Sequence, residues 1–204
     1  MKKLLPILAL SVALSANYAH AEKKAATPKK VEEKVEEAFA PQDASSTLLN
    51  QTSFFDNKIS ITYPAAFKPL PENYIENRYT DPANRPKFVF APADDFTVNL
   101  ALNMTPNPNG DRESIIKFFR DIKNGLRAQY PNDVEFMKND VDNKAQTAVI
   151  EFIMPNSQKE KFYNLMFFAY VDSEFFFLNF SCPKSEIDKW QKTAWSIVDS
   201  FKKN

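Results

Sequence analysis

Glycine is almost missing from this chain: Gly110 and Gly125 are the only two in 204 residues. Phosphate-binding loops need several glycines so that backbone N–H groups can close around an anion, and a cradle of that kind is excluded. Histidine is scarcer still. His20 stands alone, inside a segment read below as a cleaved signal, so the mature chain has no imidazole. That removes Ser-His-Asp and Cys-His nucleophile systems and every zinc site with a histidine ligand. Cys182 is the only cysteine, and one thiol makes neither an internal disulfide nor a thiolate cluster. In an oxidising compartment it is expected in the core, at the end of an aromatic strand. Charge of one sign is lacking too: 26 basic residues balance 26 acidic ones, and the basic ones are scattered singly among acids. Nothing here favours nucleic acid or an anionic membrane.

What the chain does have is an address, and then phenylalanine. Lys2 and Lys3, the apolar run Leu4 to Ala16 and the Ala19-His20-Ala21 cleavage pattern read as a secretory signal over residues 1–21. The apolar run falls short of the ~20 residues that span a bilayer and no second one follows. The mature protein is therefore expected in the periplasm, or secreted, without stable membrane insertion. A lipid anchor would need a Cys at the cleavage point. Cleavage removes two basic residues and no acidic one, leaving a net charge of −2. Residues 22–50 are rich in Lys, Glu and Ala with Pro28 and Pro41 as breakers, a flexible spacer before a single domain over 51–204. Within it Val31, Val35 and Phe39 recur at helical spacing, which would also suit a helix that docks on a partner.

Most of the 19 Phe fall at strand or helix spacing and are assigned to the core. Lys58 to Tyr63 alternates, with Ile59, Ile61 and Tyr63 on one face of a hairpin that turns at Asp56-Asn57. Lys87 to Pro92 and Asp95 to Thr105 read as further strands, the second with Phe96, Val98, Leu100, Leu102 and Met104 on its buried side. Asp111 to Tyr130 reads as a helix capped by Asp111, with Ile115, Phe118, Phe119, Ile122 and Leu126 on one face. Val134 to Asp140 and Ala145 to Met154 form a hairpin about Asp142-Asn143. The aromatic runs Phe162 to Val171 and Phe175 to Cys182, joined at Asp172-Ser173-Glu174, are the expected centre of the sheet. A last helix starts at Ser185 and carries Ile187, Trp190, Ala194, Ile197, Val198 and Phe201 on one stripe, with Lys202 and Lys203 at its negative end.

The segment from Pro64 to Pro86 carries five prolines, too many for a regular element, and is expected to be a long ordered loop. Its aromatics have no element to justify burial, so Phe67, Tyr74 and Tyr79, with Arg85, are the candidate partner-binding residues. The carboxylate pairs are assigned to turns: Asp142 stands where a hairpin wants Asp, and Asp94-Asp95 precedes a strand. Asp140-Val141-Asp142-Asn143 lacks the glycine and distal Glu of a calcium loop. No catalytic residue, metal ligand or cofactor is identified.

The order of elements, with Ile59-Ser60-Ile61-Thr62-Tyr63-Pro64 near the start and Trp195, Ile197, Val198, Ser200 and Phe201 at the end, resembles the PsbP-like α/β/α sandwich. Photosystem extrinsic subunits, Ran-binding Mog-type proteins and bacterial DcrB-type envelope proteins share it. The resemblance implies an α+β fold with an antiparallel sheet of about six to eight strands covered by helices. It also implies a non-enzymatic module that binds protein, so another envelope protein is the expected partner, in an oligomeric state the sequence does not set. The alternatives are a carrier for a small apolar ligand, an immunity protein against a secreted toxin, and an enzyme working with carboxylates alone.

Overall fold

The structure, a computed structural model, describes residues 49–106, 114–156 and 158–204. The signal segment, the spacer up to residue 48, Ser157, and Pro108, Gly110, Asp111 and Glu113 before the first long helix lie outside them. In chain order the elements are β1 (Leu49–Phe54), β2 (Ile59–Pro64), β3 (Phe67–Pro69), α1 (Glu72–Arg78), a 3-10 turn at Pro82–Asn84, β4 (Phe88–Pro92), β5 (Asn99–Pro106) and α2 (Ser114–Gln129). They continue with β6 (Glu135–Asp142), β7 (Thr147–Pro155), β8 (Lys161–Val171), β9 (Glu174–Pro183), a 3-10 turn at Lys184–Glu186, α3 (Ile187–Asp199) and β10 (Lys202–Lys203).

The aromatic hairpin lies inside the larger sheet, whose seven strands run β3-β4-β5-β9-β8-β7-β6 with every pairing antiparallel. Alternation along β8 and β9 sends side chains to two different cores, because both faces of the sheet are covered. Phe176, Leu178, Phe180 and Cys182 point to one side with Leu165, Phe167, Leu100 and Leu102, and there meet Ile59 and Ile61 of β2 and Ala194, Ile197 and Val198 of α3. Phe175 and Phe177 point the other way with Met166, Phe168, Ile150 and Phe152, against Ile75 of α1 and Ile115, Phe118, Ile122 and Leu126 of α2. The architecture is the three-layer α+β fold that the sequence leads one to expect.

Several boundaries differ from that expectation. β1 begins at Leu49, two residues inside the stretch read as spacer, because its register with β2 runs from Leu49↔Pro64 to Phe54↔Ile59. The last helix opens at Ile187 with no side-chain cap, behind a 3-10 turn that contains Ser185. Lys202 and Lys203 do not finish a helix: they pair with Ser60 and Ile59 of β2 and extend a small sheet, β1-β2-β10. Asn179 and Ser181, polar residues on one face of β9, are each 4% exposed.

Candidate functional site

The proline-rich excursion is where the structure departs furthest from a loop. Its prolines occupy positions that regular elements tolerate. Pro69 ends the three-residue edge strand β3, Pro71 takes the N-cap of α1, and Pro82 opens the 3-10 turn. Once started, α1 is held by Tyr74 and Ile75 N–H groups donating to the Pro71 carbonyl (3.0 and 3.1 Å) and by Tyr79 N–H donating to Ile75 O at 2.8 Å. Ile75 and Tyr79, four apart, share the face that meets the sheet.

That geometry divides the four candidate residues. Phe67 and Tyr79, expected on display, are both 1% exposed. Phe67 packs under α3, its ring centroid 5.6 Å from Trp190 and 6.2 Å from Phe180. Tyr79 belongs to the opposite core, and its hydroxyl has no hydrogen-bond partner among the described residues. Burial pushes the Tyr79 phenol up from its ordinary value, with Arg78 opposing. Arg85 is a brace: its Nε donates to Tyr79 O at 3.2 Å and its Nη1 to Glu76 Oε1 at 2.8 Å, fixing the chain after α1. Of the three aromatics, Tyr74 alone stays half-buried.

Beside it stands an aromatic that periodicity assigned to the core. Phe96 is 41% exposed and meets the Tyr74 ring edge-on at 5.2 Å. β5 starts only at Asn99, because Asp95 turns the chain first: its Oδ1 accepts from Thr97 N–H (2.9 Å) and Thr97 Oγ1 (2.5 Å). The buried guanidinium of Arg78 then donates from Nη1 to the Phe96 carbonyl at 3.1 Å. Two rings are thus carried on backbone fixed by a helix and by a side-chain-closed turn, so little ordering is left to be done there. The Asp94-Asp95 pair was the sequence signal for this turn.

A second constellation lies under α3. Glu151 of β7 is 3% exposed, and its Oε1 accepts from Tyr163 Oη (2.7 Å), Gln191 Nε2 (2.7 Å) and Trp195 Nε1 (3.1 Å). Burial first, and then the bond to Glu151, push the Tyr163 phenol far above its ordinary value. Lys138, opposite Glu151 on β6, holds its ammonium 4.2 Å from the Trp195 ring centroid. Sequence reading missed this carboxylate, which sits singly in the apolar run Val149 to Met154. Three donors on one oxygen hold the carboxylate still, and a group so occupied and so buried serves as a pin between helix and sheet. Cys182 is fully buried, and burial pushes its thiol up to about 12, so it is an unreactive core residue. Among the described residues no three His, Cys, Asp or Glu side chains converge as metal ligands would.

No family model and no curated protein matches the sequence. Solved structures do. The solution structure of cyanobacterial PsbP (CyanoP) from Synechocystis sp. PCC 6803 superposes with a TM-score of 0.53 at 11% identity, over 82% of this chain and 98% of that one. A Bacteroides thetaiotaomicron VPI-5482 protein gives 0.45 at 11% identity over 76% of this chain and 48% of its own. LpqN, involved in cell envelope biogenesis of Mycobacterium tuberculosis, gives 0.42 at 10% identity over 76% and 90%. At such identities a likeness speaks for the backbone, and by the first of these superpositions, spanning nearly the whole of the cyanobacterial protein, this chain has the PsbP-like fold.

Proposed function

We propose that this protein is a non-enzymatic binding module of the bacterial cell envelope, working in the periplasm by protein–protein contact with the Tyr74–Phe96 pair as its anchor. The location rests on the N-terminal pattern of Lys2, Lys3, the apolar run and Ala19-His20-Ala21. No helix among the described residues is long and apolar enough to cross a membrane. The binding role rests on one observation: a large aromatic, Phe96, is 41% exposed although its backbone is fixed by Arg78 and Asp95. A partly exposed ring on a rigid support is the kind of residue that supplies most of an interface's energy when a partner closes over it.

The test uses the mature chain purified with its native envelope after crosslinking. Tyr74→Ala with Phe96→Ala is expected to remove the crosslinked partner while moving the thermal midpoint by only a few degrees, since Phe96 is exposed and Tyr74 packs only at the margin of its core. A partner retained by the double variant would refute the anchor. Fractionation that leaves the mature chain in the cytoplasm would refute the location.

A further inference from the structure

Among the described residues four strands form the edges of the two sheets, β1 and β10 of the small one, β3 and β6 of the large one. Three of them are defended against pairing with another chain. β3 is three residues long and carries Lys68 and Pro69, and β10 is Lys202-Lys203 alone. β6 bears Lys138 and Asp140 at its centre and has an irregular register between Phe136 and Lys138. Charge, proline, brevity and bulges are the devices that keep a free edge from acting as a template. β1 has none of them. Its six residues are uncharged, as in the inner strands β2, β4 and β5, and they pair with β2 in unbroken register. The sequence entering the strand is uncharged back to Ala44, and Leu49, at its start, is 65% exposed.

The hydrogen bonds of β2 show what this edge offers. Thr62, the partner of Gln51 in the register, donates its N–H to Ser200 Oγ at 2.8 Å, and its carbonyl lies 3.3 Å from the same hydroxyl. Both groups therefore point away from β1. In an antiparallel ladder the residue opposite such a position also turns its N–H and C=O outward, so Gln51 presents both to the free edge. Leu49 and Ser53, two residues to either side, do the same. The side chains of all three are exposed.

We propose that β1 is the docking edge for a second copy of this chain, the two β1 strands pairing antiparallel about a two-fold axis at Gln51 and joining the small sheets of two protomers into one. In that register Gln51 meets its own counterpart and Leu49 meets the partner's Ser53, each pair exchanging two N–H···O bonds. A two-fold axis sets every residue beside it against its own copy, so a charge there repels itself. β1 is the edge that brings no charge to the junction, in the strand or in the residues that lead into it. One strand pair is a small interface, so the dimer is weak and concentration-dependent. It stands apart from the Tyr74–Phe96 surface, and neither needs the other.

Sedimentation of the full mature chain, followed up to about 1 mM, tests this. The parent is expected to pass from monomer to dimer as concentration rises. Gln51→Lys and Gln51→Glu, each placing like charges on the axis, should weaken self-association about tenfold or more. Mixed in equal amounts, the two variants should dimerise again as a mixed pair, which also shows that both are folded. A parent that stays monomeric would overturn the proposal. If the Gln51 and Ser53 amides of that monomer are nonetheless protected from hydrogen exchange, the edge is covered by the chain's own preceding segment; if they are open, it is left for a different partner. A dimer that tolerates both single charges, or a mixture that stays monomeric, would equally refute pairing about Gln51.

Discussion

A chain with two glycines must turn its corners with side chains attached. Among the described residues Phe55, Asp56, Asn57, Gln146, Lys159, Asp172 and Ser173 all have positive φ, a region that costs a residue with a Cβ about 1 kcal/mol or more. Phe55, at φ 54°, has no short polar side chain to ease it. Its ring is 7% exposed, wedged edge-on between Phe88 and Phe176, and burying a Phe contributes roughly 1.5–3 kcal/mol, which outweighs the strain. Asp172 and Ser173 have no such compensation. With φ of 45° and 67° they form the two-residue turn between Val171 and Glu174, the mirror-image type whose twist suits a hairpin and whose favoured pair is Asp-Gly. Ser173→Gly is therefore expected to stabilise the protein by roughly 0.5–1 kcal/mol, the strain relieved less the extra freedom glycine has when unfolded. That is about 2 °C in thermal midpoint for a domain of this size. Ser173→Ala, which leaves the Cβ in place, should give no gain; an equal gain would show that strain at this turn is not what matters.

At the scale of elements, α3 is held to the sheet by an apolar stripe and by one charged pin. The stripe, Ala194, Ile197 and Val198 with Trp190 and Phe201 beside them, supplies most of the burial, but the Glu151 carboxylate fixes where along the sheet the helix sits. Glu151→Ala strands the Tyr163 hydroxyl, the Trp195 indole N–H and the Gln191 amide together, and is expected to cost about 3 kcal/mol. Glu151→Gln keeps an oxygen in place and should cost about 1 kcal/mol. Urea unfolding measures both, and hydrogen exchange should rise in α3 before it rises in β4. A Glu151→Ala protein within about 0.5 kcal/mol of the parent would show the stripe alone to be sufficient. The stripe was legible in the sequence, and the pin was not. Periodicity reports which residues share a face, so the α3 stripe, the α2 face and the alternation of β8 and β9 could all be read. It cannot report that Glu151 meets a residue 40 or 44 positions away. The same limit hid α1, where prolines at cap positions masked the Ile75–Tyr79 spacing. It also put Phe96 in the core, since a rule of alternation carried past Asp95 ignores the turn that Asp95 makes. Of the candidate site, Tyr74 could be read and its partner ring could not.

The whole molecule is stitched by pairings between distant parts of the chain. β5 zips along β9 from Asn99↔Ser181 to Pro106↔Glu174, and β10 returns to β2, with Thr62 N–H donating to Ser200 Oγ at 2.8 Å. One consequence is that several weak acids are sealed inside with their protons on, on either side of the central sheet. Tyr79 and Tyr163 are raised chiefly by burial, and Cys182 goes from an ordinary 9.0 to about 12 for the same reason. Lys58 is also raised, first by its hydrogen bond to Glu174. Each of these groups keeps its proton in the native state at a pH where the unfolded chain has released it, so the native state binds more protons and stability must fall as pH rises. Their contribution is complete below about pH 8.5, where the unfolded thiol begins to ionise, and is lost progressively above it, through about pH 10 for the unfolded phenols. Each buried acid past its unfolded value subtracts about 1.4 kcal/mol per pH unit. Lys123 and Lys203 are lowered by burial and shed protons sooner when folded, which opposes the trend. Tyr163 and Cys182, both raised far by burial, outweigh them. The urea midpoint is therefore expected to be level from neutral pH to about 8.5 and then to fall steadily to about pH 11. Tyr79 and Tyr163 should contribute no phenolate absorbance until the chain unfolds. A midpoint that holds to about pH 11, or full phenolate absorbance with native circular dichroism, would mean that these groups titrate freely and that the two cores are open to water.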